Sequence, residues 1–329
     1  MVRRTMKAAS RALVLVLLFV CSTTLAGCTG SLEGSDAAGD TTTEAQKMLP
    51  EWELGDQWLY TFITPQFGED SARLVVAEID EAEGIYQLGI SSEREAQRHA
   101  VINHNPFLGR VTMDGLSVYE NGEPQAVFSF PWTVGDTWSF TLFEQEWTAT
   151  TDSITNGNAR VTAVSEEGHE LRYTFSGSKG FMESFVWSDS DGVRQLRMDL
   201  NVARSGYSGD VYFYRARDLL DSLYEENDQE VYDTFVDEGH PNDGDWDTLV
   251  WYLDVEIAST GASSGSLTMK DHAGASPLTR AWGSGATEKG AIGTIPSNTG
   301  EYSLTVTVRG PDSFIHLRVA GAQVFQYTL

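Results

Sequence analysis

Trp52-Glu53-Leu54-Gly55-Asp56-Gln57-Trp58-Leu59-Tyr60 returns eighty residues later as Trp132-Thr133-Val134-Gly135-Asp136-Thr137-Trp138-Ser139-Phe140. The shared pattern is Trp, any, aliphatic, Gly-Asp, any, Trp, any, aromatic. Gly can take a positive φ and Asp can bond nearby backbone, so Gly-Asp marks a tight turn. Beyond it, Trp58 with Tyr60, and Trp138 with Phe140, recur at period two and share one face of a strand. Each copy therefore reads as a turn that launches a strand and seats aromatic side chains in a core. Ligand or sugar stacking by the tryptophans is the alternative reading. A second echo, Ala72-Arg73-Leu74 and Ala159-Arg160-Val161, opens an apolar stretch after each copy, which points to duplication.

Outward from the motif, alternating runs are separated by turn signals. Leu74 to Ile79, Ile85 to Ile90 and Val111 to Tyr119 predict strands, punctuated by Asp114-Gly115 and Asn121-Gly122. Thr141 to Ser153, Val161 to Val164, Leu171 to Phe175, Met182 to Trp187 and Val193 to Asn201 do the same in the second unit, and Val211 to Tyr214 closes the set. No long helix is expected before residue 215. From Arg215 to Val236, Leu219, Leu220, Leu223 and Tyr224 fall at helical spacing and predict the one helix, with an acidic boundary at Asp237 to Asp247. Strand patterns resume at Leu249 to Ala258, Ser266 to Lys270, Tyr302 to Val308, Phe314 to Val319 and Gln323 to Tyr327, while Gly261 to Gly265 and Gly283 to Gly293 read as loops. The expected fold is mainly β: a duplicated, antiparallel, curved β-sheet domain, one short helical connector and a C-terminal β-sandwich. The expected division is a leader over 1–27, a tether over 28–48, β units over 49–130 and 131–214 forming one joint domain, a connector over 215–245 and a sandwich over 246–329.

Two phrases carry resemblances. Gly300-Glu301-Tyr302-Ser303-Leu304-Thr305-Val306, after Gly265-Ser266-Leu267-Thr268-Met269 and a long loop, is similar to the pre-peptidase C-terminal modules of secreted prokaryotic proteins. That resemblance covers about eighty residues and implies a noncatalytic sandwich. Pro131-Trp132-Thr133-Val134-Gly135-Asp136-Thr137-Trp138-Ser139-Phe140 resembles the Pro-x-x-Val-Gly-x-x-Trp-x-Tyr phrase, often present twice, of uncharacterised secreted lipoproteins of bacteria and archaea. The first copy departs from it, with Glu51 where the proline would stand. The resemblance implies a fold and a location and lends no activity.

The N-terminus agrees with that location. Arg3, Arg4, Lys7 and Arg11 precede an apolar run from Ala12 to Cys21, too short for a membrane span. Leu25-Ala26-Gly27-Cys28 then resembles the lipobox of prokaryotic lipoproteins, which implies that Cys28 receives the lipid and becomes the mature N-terminus. The protein is thus expected to be exported and anchored to the outer face of the cell membrane. Arg3-Arg4 leaves both the general and the twin-arginine export routes open. Cys21 is the other cysteine and leaves with the leader, so disulfides and a cysteine nucleophile are not expected. Thr29 to Gln46, poor in large apolar residues, reads as a tether.

Charge narrows the partners. The chain carries 22 basic and 48 acidic residues, a formal net charge of −26. After the leader its lysines are Lys47, Lys179, Lys270 and Lys289. An acid-rich, lysine-poor surface resembles the proteins of salt-adapted archaea and is an unfavourable partner for nucleic acid.

Catalytic signals are weak. Gly261-Ala262-Ser263-Ser264-Gly265 satisfies Gly-x-Ser-x-Gly but runs into a strand pattern where a hydrolase elbow needs a helix. His99, His104, His169, His240, His272 and His316 show no zinc-ligand spacing, and His99 and His104 are expected in a loop. Asp243, Asp245 and Asp247 around Gly244 form a candidate structural calcium loop without the EF-hand spacing, as does Asp189-Ser190-Asp191-Gly192; a solvated turn is the plainer reading. No cofactor is otherwise expected. The leading expectation is a noncatalytic, membrane-anchored surface lipoprotein with a binding or envelope-structural role and a protein or apolar small-molecule ligand. The alternatives are a carrier of a lipid or other apolar ligand in a curved-sheet cavity, and an extracellular hydrolase.

Overall fold

The computed structural model describes residues 48–102, 105–226, 228–242 and 244–329. The first repeat gives β1 (Gln57–Thr64), β2 (Gly68–Asp80) and β3 (Ile85–Ile90), then α1 (Glu93–Val101), β4 (Gly109–Thr112), β5 (Val118–Glu120) and β6 (Glu123–Gln125). The second gives β7 (Thr137–Leu142), β8 (Gln145–Thr155), β9 (Asn158–Ser165), β10 (Glu170–Ser176), β11 (Phe181–Ser188) and β12 (Arg194–Arg204). The remainder is β13 (Asp210–Glu225), β14 (Glu230–Asp237), β15 (Thr248–Glu256), β16 (Ser264–Lys270), β17 (Leu278–Trp282), β18 (Thr287–Pro296), β19 (Gly300–Arg309) and β20 (Phe314–Thr328).

Sixteen strands join one antiparallel sheet, whose main path is β18-β15-β20-β13-β3-β2-β1-β12-β11-β10-β9-β8-β7, with β4, β5 and β6 branching from β3. The motif strand β1 lies between β2 and β12, whereas its counterpart β7 is, among the described residues, an edge paired with β8 alone. The sheet is curved. Phe67, in the turn between β1 and β2, meets Tyr252 of β15 with ring centroids 5.6 Å apart. Along the sheet β2 and β15 are four strands apart, about 19 Å if flat at about 4.8 Å per strand. Curling collects Trp58, Tyr60, Phe62, Leu88, Trp147, Phe175, Phe185, Val250 and Ala320 into one core.

The second sheet, β14-β19-β16-β17, lies over the opposite face of β15 and β20. Leu253, Val255, Leu317 and Val319 from one layer pack with Leu267, Met269, Leu304 and Val306 from the other. Alternation explains both cores: odd positions of β15 and β20 face the sandwich, and even positions such as Val250, Tyr252, Ala320 and Ala322 face the curved sheet.

The mainly β architecture is as expected, but the helix is elsewhere. Residues 215–236, expected to be helical, are the end of β13, a short connection and β14. β13 pairs with β20 along almost its whole length, and the ladder shifts register between Asp218 and Leu220. That bulge sets two successive leucines, Leu219 and Leu220, against the sandwich core with Tyr224. Broken period-two alternation thus imitated helical spacing, while Leu223 remains exposed. The real helix is α1, whose Ser92 N-cap Oγ accepts from the Glu95 amide at 3.4 Å. His99 belongs to this helix rather than to a loop. Gly283 to Gly293 is also not all loop, because β18 begins at Thr287. Within it Gly293 pairs with Trp251, whose indole occupies the space a Cβ would take.

Candidate functional site

The repeat motif builds the frame. Gly55 has φ 83° and Gly135 has φ 88°, conformations that favour glycine. The Gly55 amide donates to Val76 O at 3.0 Å and the Val76 amide to Asp56 O at 2.9 Å. Gly135 donates to Thr151 O at 2.9 Å, and Thr151 to Asp136 O at 3.0 Å, so both copies clamp the following strand identically. The Asp56 carboxylate also accepts from the Glu53 amide at 2.9 Å. This makes β2 the counterpart of β8. The second echo is therefore not an equivalent position: Ala72-Arg73-Leu74 lies in β2, whereas Ala159-Arg160-Val161 lies one strand later, in β9.

The two tryptophan pairs are equivalent in place and unequal in burial. Trp52 and Trp58 are buried with centroids 5.0 Å apart, and their indoles donate to Gly180 O and Lys179 O, each at 2.8 Å. Trp132 is buried 6.1 Å from Trp138, while Trp138 is only half-buried and donates to Ala126 O at 3.0 Å. These residues anchor strands rather than line an opening.

The opening lies where the curved sheet meets α1, as a cleft of about 870 Å³. Its inner walls are Phe62, Ile90, Ala96, Ala100, Ile102, Leu108 and Leu196; around them stand Phe67, Phe143, Trp187, Tyr212 and Tyr214. Tyr119, Glu120, Asn121, Glu144, Arg215, Arg217 and Asp218 bring polar and charged groups of both signs. The volume falls in the range of small-molecule sites, and the lining mixes apolar and polar side chains.

Helix α1 forms one wall. Tyr214 OH donates to Glu93 Oε1 at 3.2 Å and accepts from Gln97 Nε2 at 3.2 Å, tying the helix to β13. Beneath it, Arg98 Nε lies 3.3 Å and His99 Nε2 3.9 Å from Asp70 Oδ2. The His99 ring meets Phe62 edge-on at 4.8 Å. Burial, followed by the hydrogen bond and negative charge of Asp70, pushes the Glu95 carboxyl up to about 7, against the opposing pull of Arg98 and Arg94.

Two hairpin tips also line the cleft, Asn121 between β5 and β6 and Phe143-Glu144 between β7 and β8. The β7–β8 turn is Phe143-Glu144, with φ of 55° and 60°. Two-residue hairpin turns of this hand favour Asn-Gly, and bulky residues occupy them at a cost. Phe143 stacks on Trp187 at 4.5 Å and 7°, and the Glu144 amide donates to Glu120 Oε1 at 2.9 Å. The expected strand from Thr141 to Ser153 is consequently a hairpin, hidden in sequence because its turn contains neither Gly nor Asn. The walls of α1 had a readable signal: Ser92-Glu93-Arg94-Glu95 matches the Ser-x-x-Glu helix start.

The other sequence candidates lie apart from the cleft. Asp245 Oδ1 accepts from Thr299 Oγ1, and Asp247 Oδ2 accepts from the Val324 amide at 2.8 Å; Asp243 lies outside the described residues. Among the described residues no group of three or more His, Cys, Asp or Glu side chains converges as a metal set. Asp189 caps its own turn, accepting from Val193 N at 2.8 Å and Asp191 N at 3.1 Å; these bonds, the first above all, hold its carboxyl below the ordinary value. Ser263 is buried, its Oγ 2.6 Å from Thr260 Oγ1, and the chain enters β16 directly after it. Leu25, Ala26, Gly27, Cys28 and His104 lie outside the described residues. Among those described, no helix is long and apolar enough to cross a membrane.

No known family matches the chain, and no curated protein matches it. Among solved structures it is similar to PNGF-II at 5% identity and TM-score 0.23, over 82% of this chain and 67% of that one. The Pseudomonas aeruginosa MucA/MucB complex aligns at 6% identity and TM-score 0.21, over 87% of this chain and 96% of that one. A Bacillus subtilis glycoside hydrolase family 43 arabinoxylan arabinofuranohydrolase aligns at 8% identity and TM-score 0.17, over 77% and 64%. At these scores the likenesses carry neither fold nor activity to this chain.

Proposed function

We propose that this protein is a noncatalytic, exported lipoprotein, tethered to the outer face of the membrane through Cys28, that holds an apolar ligand in its curved sheet. The observation that carries the reading is the cleft of about 870 Å³, in which Phe62, Phe67, Ile90, Phe143, Trp187 and Leu196 line one opening. Two of the acids around it are engaged in holding the chain: Glu120 accepts the Glu144 amide, and Asp218 pairs with Arg318 at 3.7 Å. That use favours binding over hydrolysis. The reading calls on no cofactor and no nucleic acid, and the acidic chain suits neither polyanions nor an anionic lipid surface.

The test is saturable binding of the apolar fluorescent dye N-phenyl-naphthylamine to the full chain carrying Cys28→Ser. Ala216 is half-buried on β13 and lines the cleft, so Ala216→Trp should fill it and weaken the dye at least about tenfold with folding intact. Absence of saturable binding, or binding indifferent to Ala216→Trp, rejects the cleft as a ligand site.

A further inference from the structure

The curved sheet stops short of closing. β6 ends beside the edge strand β7, yet among the described residues no backbone–backbone bond joins the two. Side chains span the gap instead. Glu120 Oε1 accepts from the Glu144 amide at 2.9 Å, Gln125 Oε1 accepts from the Thr141 amide at 2.8 Å, and Trp138 Nε1 donates to Ala126 O at 3.0 Å. A backbone ladder fixes a seam residue by residue, whereas isolated bonds of this kind are worth little net and can break singly.

The two sides of the seam are unequally held. β7 pairs with β8 from Thr137 to Leu142, and Phe143 beyond it stacks on Trp187 at 4.5 Å. β5 and β6 pair with each other, but their hairpin reaches the rest of its own sheet through the single pair Val111 and Val118. Val118 and Val127 are buried at its base, and Asn121 to Pro124 are exposed at its tip. Few buried contacts and exposed hydrogen bonds mark the segments that open first. Tyr119, Glu120 and Asn121 of this hairpin line the cleft, as do Phe143 and Glu144 across the seam.

We propose that the β5–β6 hairpin is a gate to the cleft, swinging off the β7 edge about its base at Val118 and Val127 to let a ligand pass. This rests on the cleft being the ligand site, and specifies how it is entered. The catches are the Glu120 carboxylate and the Gln125 carboxamide on the Glu144 and Thr141 amides. Opening hands these groups to water, so it costs only the net worth of the bonds. The β7–β8 tip stays in place because the stack of Phe143 on Trp187 ties it to β11.

The experiment is stopped-flow fluorescence of N-phenyl-naphthylamine entering and leaving the full chain carrying Cys28→Ser. Glu120→Ala with Gln125→Ala removes both catches. Association and dissociation should then quicken together by at least about fivefold, the scale of one net hydrogen bond, with affinity held within about twofold. The opposite perturbation adds Cys21→Ser, Gln125→Cys and Thr141→Cys and joins the two new thiols across the seam with a short bismaleimide. Both rates should fall by at least about fivefold in the joined chain relative to the same chain left unjoined. Unchanged rates in either comparison overturn the gate. So does an alanine variant that loses affinity through faster dissociation alone, the mark of a fixed wall. If the alanine variant fails to fold, the joined and unjoined chains decide. Failure of the dye itself to bind would sink the cleft reading instead, so the two failures are separable.

Discussion

Trp58→Ala and Trp138→Ala remove the same residue from the same motif, and the structure predicts unequal costs. Trp58 is 3% exposed, in contact with Trp52 at 5.0 Å and Phe181 at 5.2 Å, and flanked by strands on both sides. Truncating a fully buried tryptophan to alanine costs about 3–5 kcal/mol through lost transfer energy and the cavity left behind. Loss of the indole bond to Lys179 O adds about 1 kcal/mol, the net worth of an ordinary hydrogen bond. Trp138 is half-buried on the edge strand β7, so about 1–2 kcal/mol is expected there. The assay is urea unfolding followed by far-ultraviolet circular dichroism at fixed salt, comparing midpoints after checking that the slopes agree. Trp58→Phe should retain most of the packing and cost about 1–2 kcal/mol, separating the ring from the hydrogen bond. Equal losses for the two alanine variants, or a Trp58→Ala loss below about 1.5 kcal/mol, would refute the claim that burial in the curved core sets the motif's value.

Three other outcomes are expected. Glu95 is raised in the folded chain to about 7, so its contribution is complete below its ordinary 4.5 and is lost as pH rises through about 7. Solvent screening of a half-buried carboxyl reduces the effect to about 1 kcal/mol; urea midpoints at pH 5 and pH 8 should differ accordingly, and Glu95→Gln should flatten that slope. Asp189 and Asp271 act in the opposite window: both are lowered, chiefly by the Val193 amide and by Asn298 respectively, and their contribution disappears as pH falls below the ordinary carboxylate range. Cys28→Ser should move the protein from the membrane fraction to the medium, and unchanged retention would refute lipid anchoring. Thermal midpoints should rise with added salt as the net charge of −26 is screened, and a flat response would refute surface self-repulsion as a destabilising force.

The strands were legible wherever alternation ran between glycine or asparagine turns, as from Ile85 to Ile90 and from Leu171 to Phe175. They were illegible where tertiary structure altered the pattern. The bulge after Asp218 turned a strand into a helix signal, and the pairing of β13 with β20 outweighed the helical spacing of Leu219, Leu220, Leu223 and Tyr224. The motif also concealed something, because two nearly equal phrases say nothing about which copy lies central and which lies at an edge. Site residues were hidden for a different reason. Ala100, Phe143 and Trp187 line one cleft only when the sheet curls, and nothing local in their sequence connects residues so far apart.

The inequality of the two copies and the cleft have one origin. The motif supplies two strands, but β1 is enclosed by β2 and β12 whereas β7, among the described residues, has a neighbour on one side only. A strand enclosed on both sides can carry a core; an edge hairpin is free to reach beyond it. The β7–β8 hairpin does so, and its tip holds Phe143-Glu144 in a backbone conformation that most sequences give to Asn-Gly. Each such non-glycine residue costs about 1–2 kcal/mol, a cost that the contacts of Phe143 with Trp187 and of Glu144 with Glu120 help to offset. Replacing Phe143-Glu144 by Asn-Gly should therefore stabilise the hairpin backbone while stripping an aromatic wall from the cleft. The expected result is a fold at least as stable with weaker dye binding. A variant that loses stability would show that the turn serves the fold, and one that binds the dye unchanged would show that the cleft does not use it.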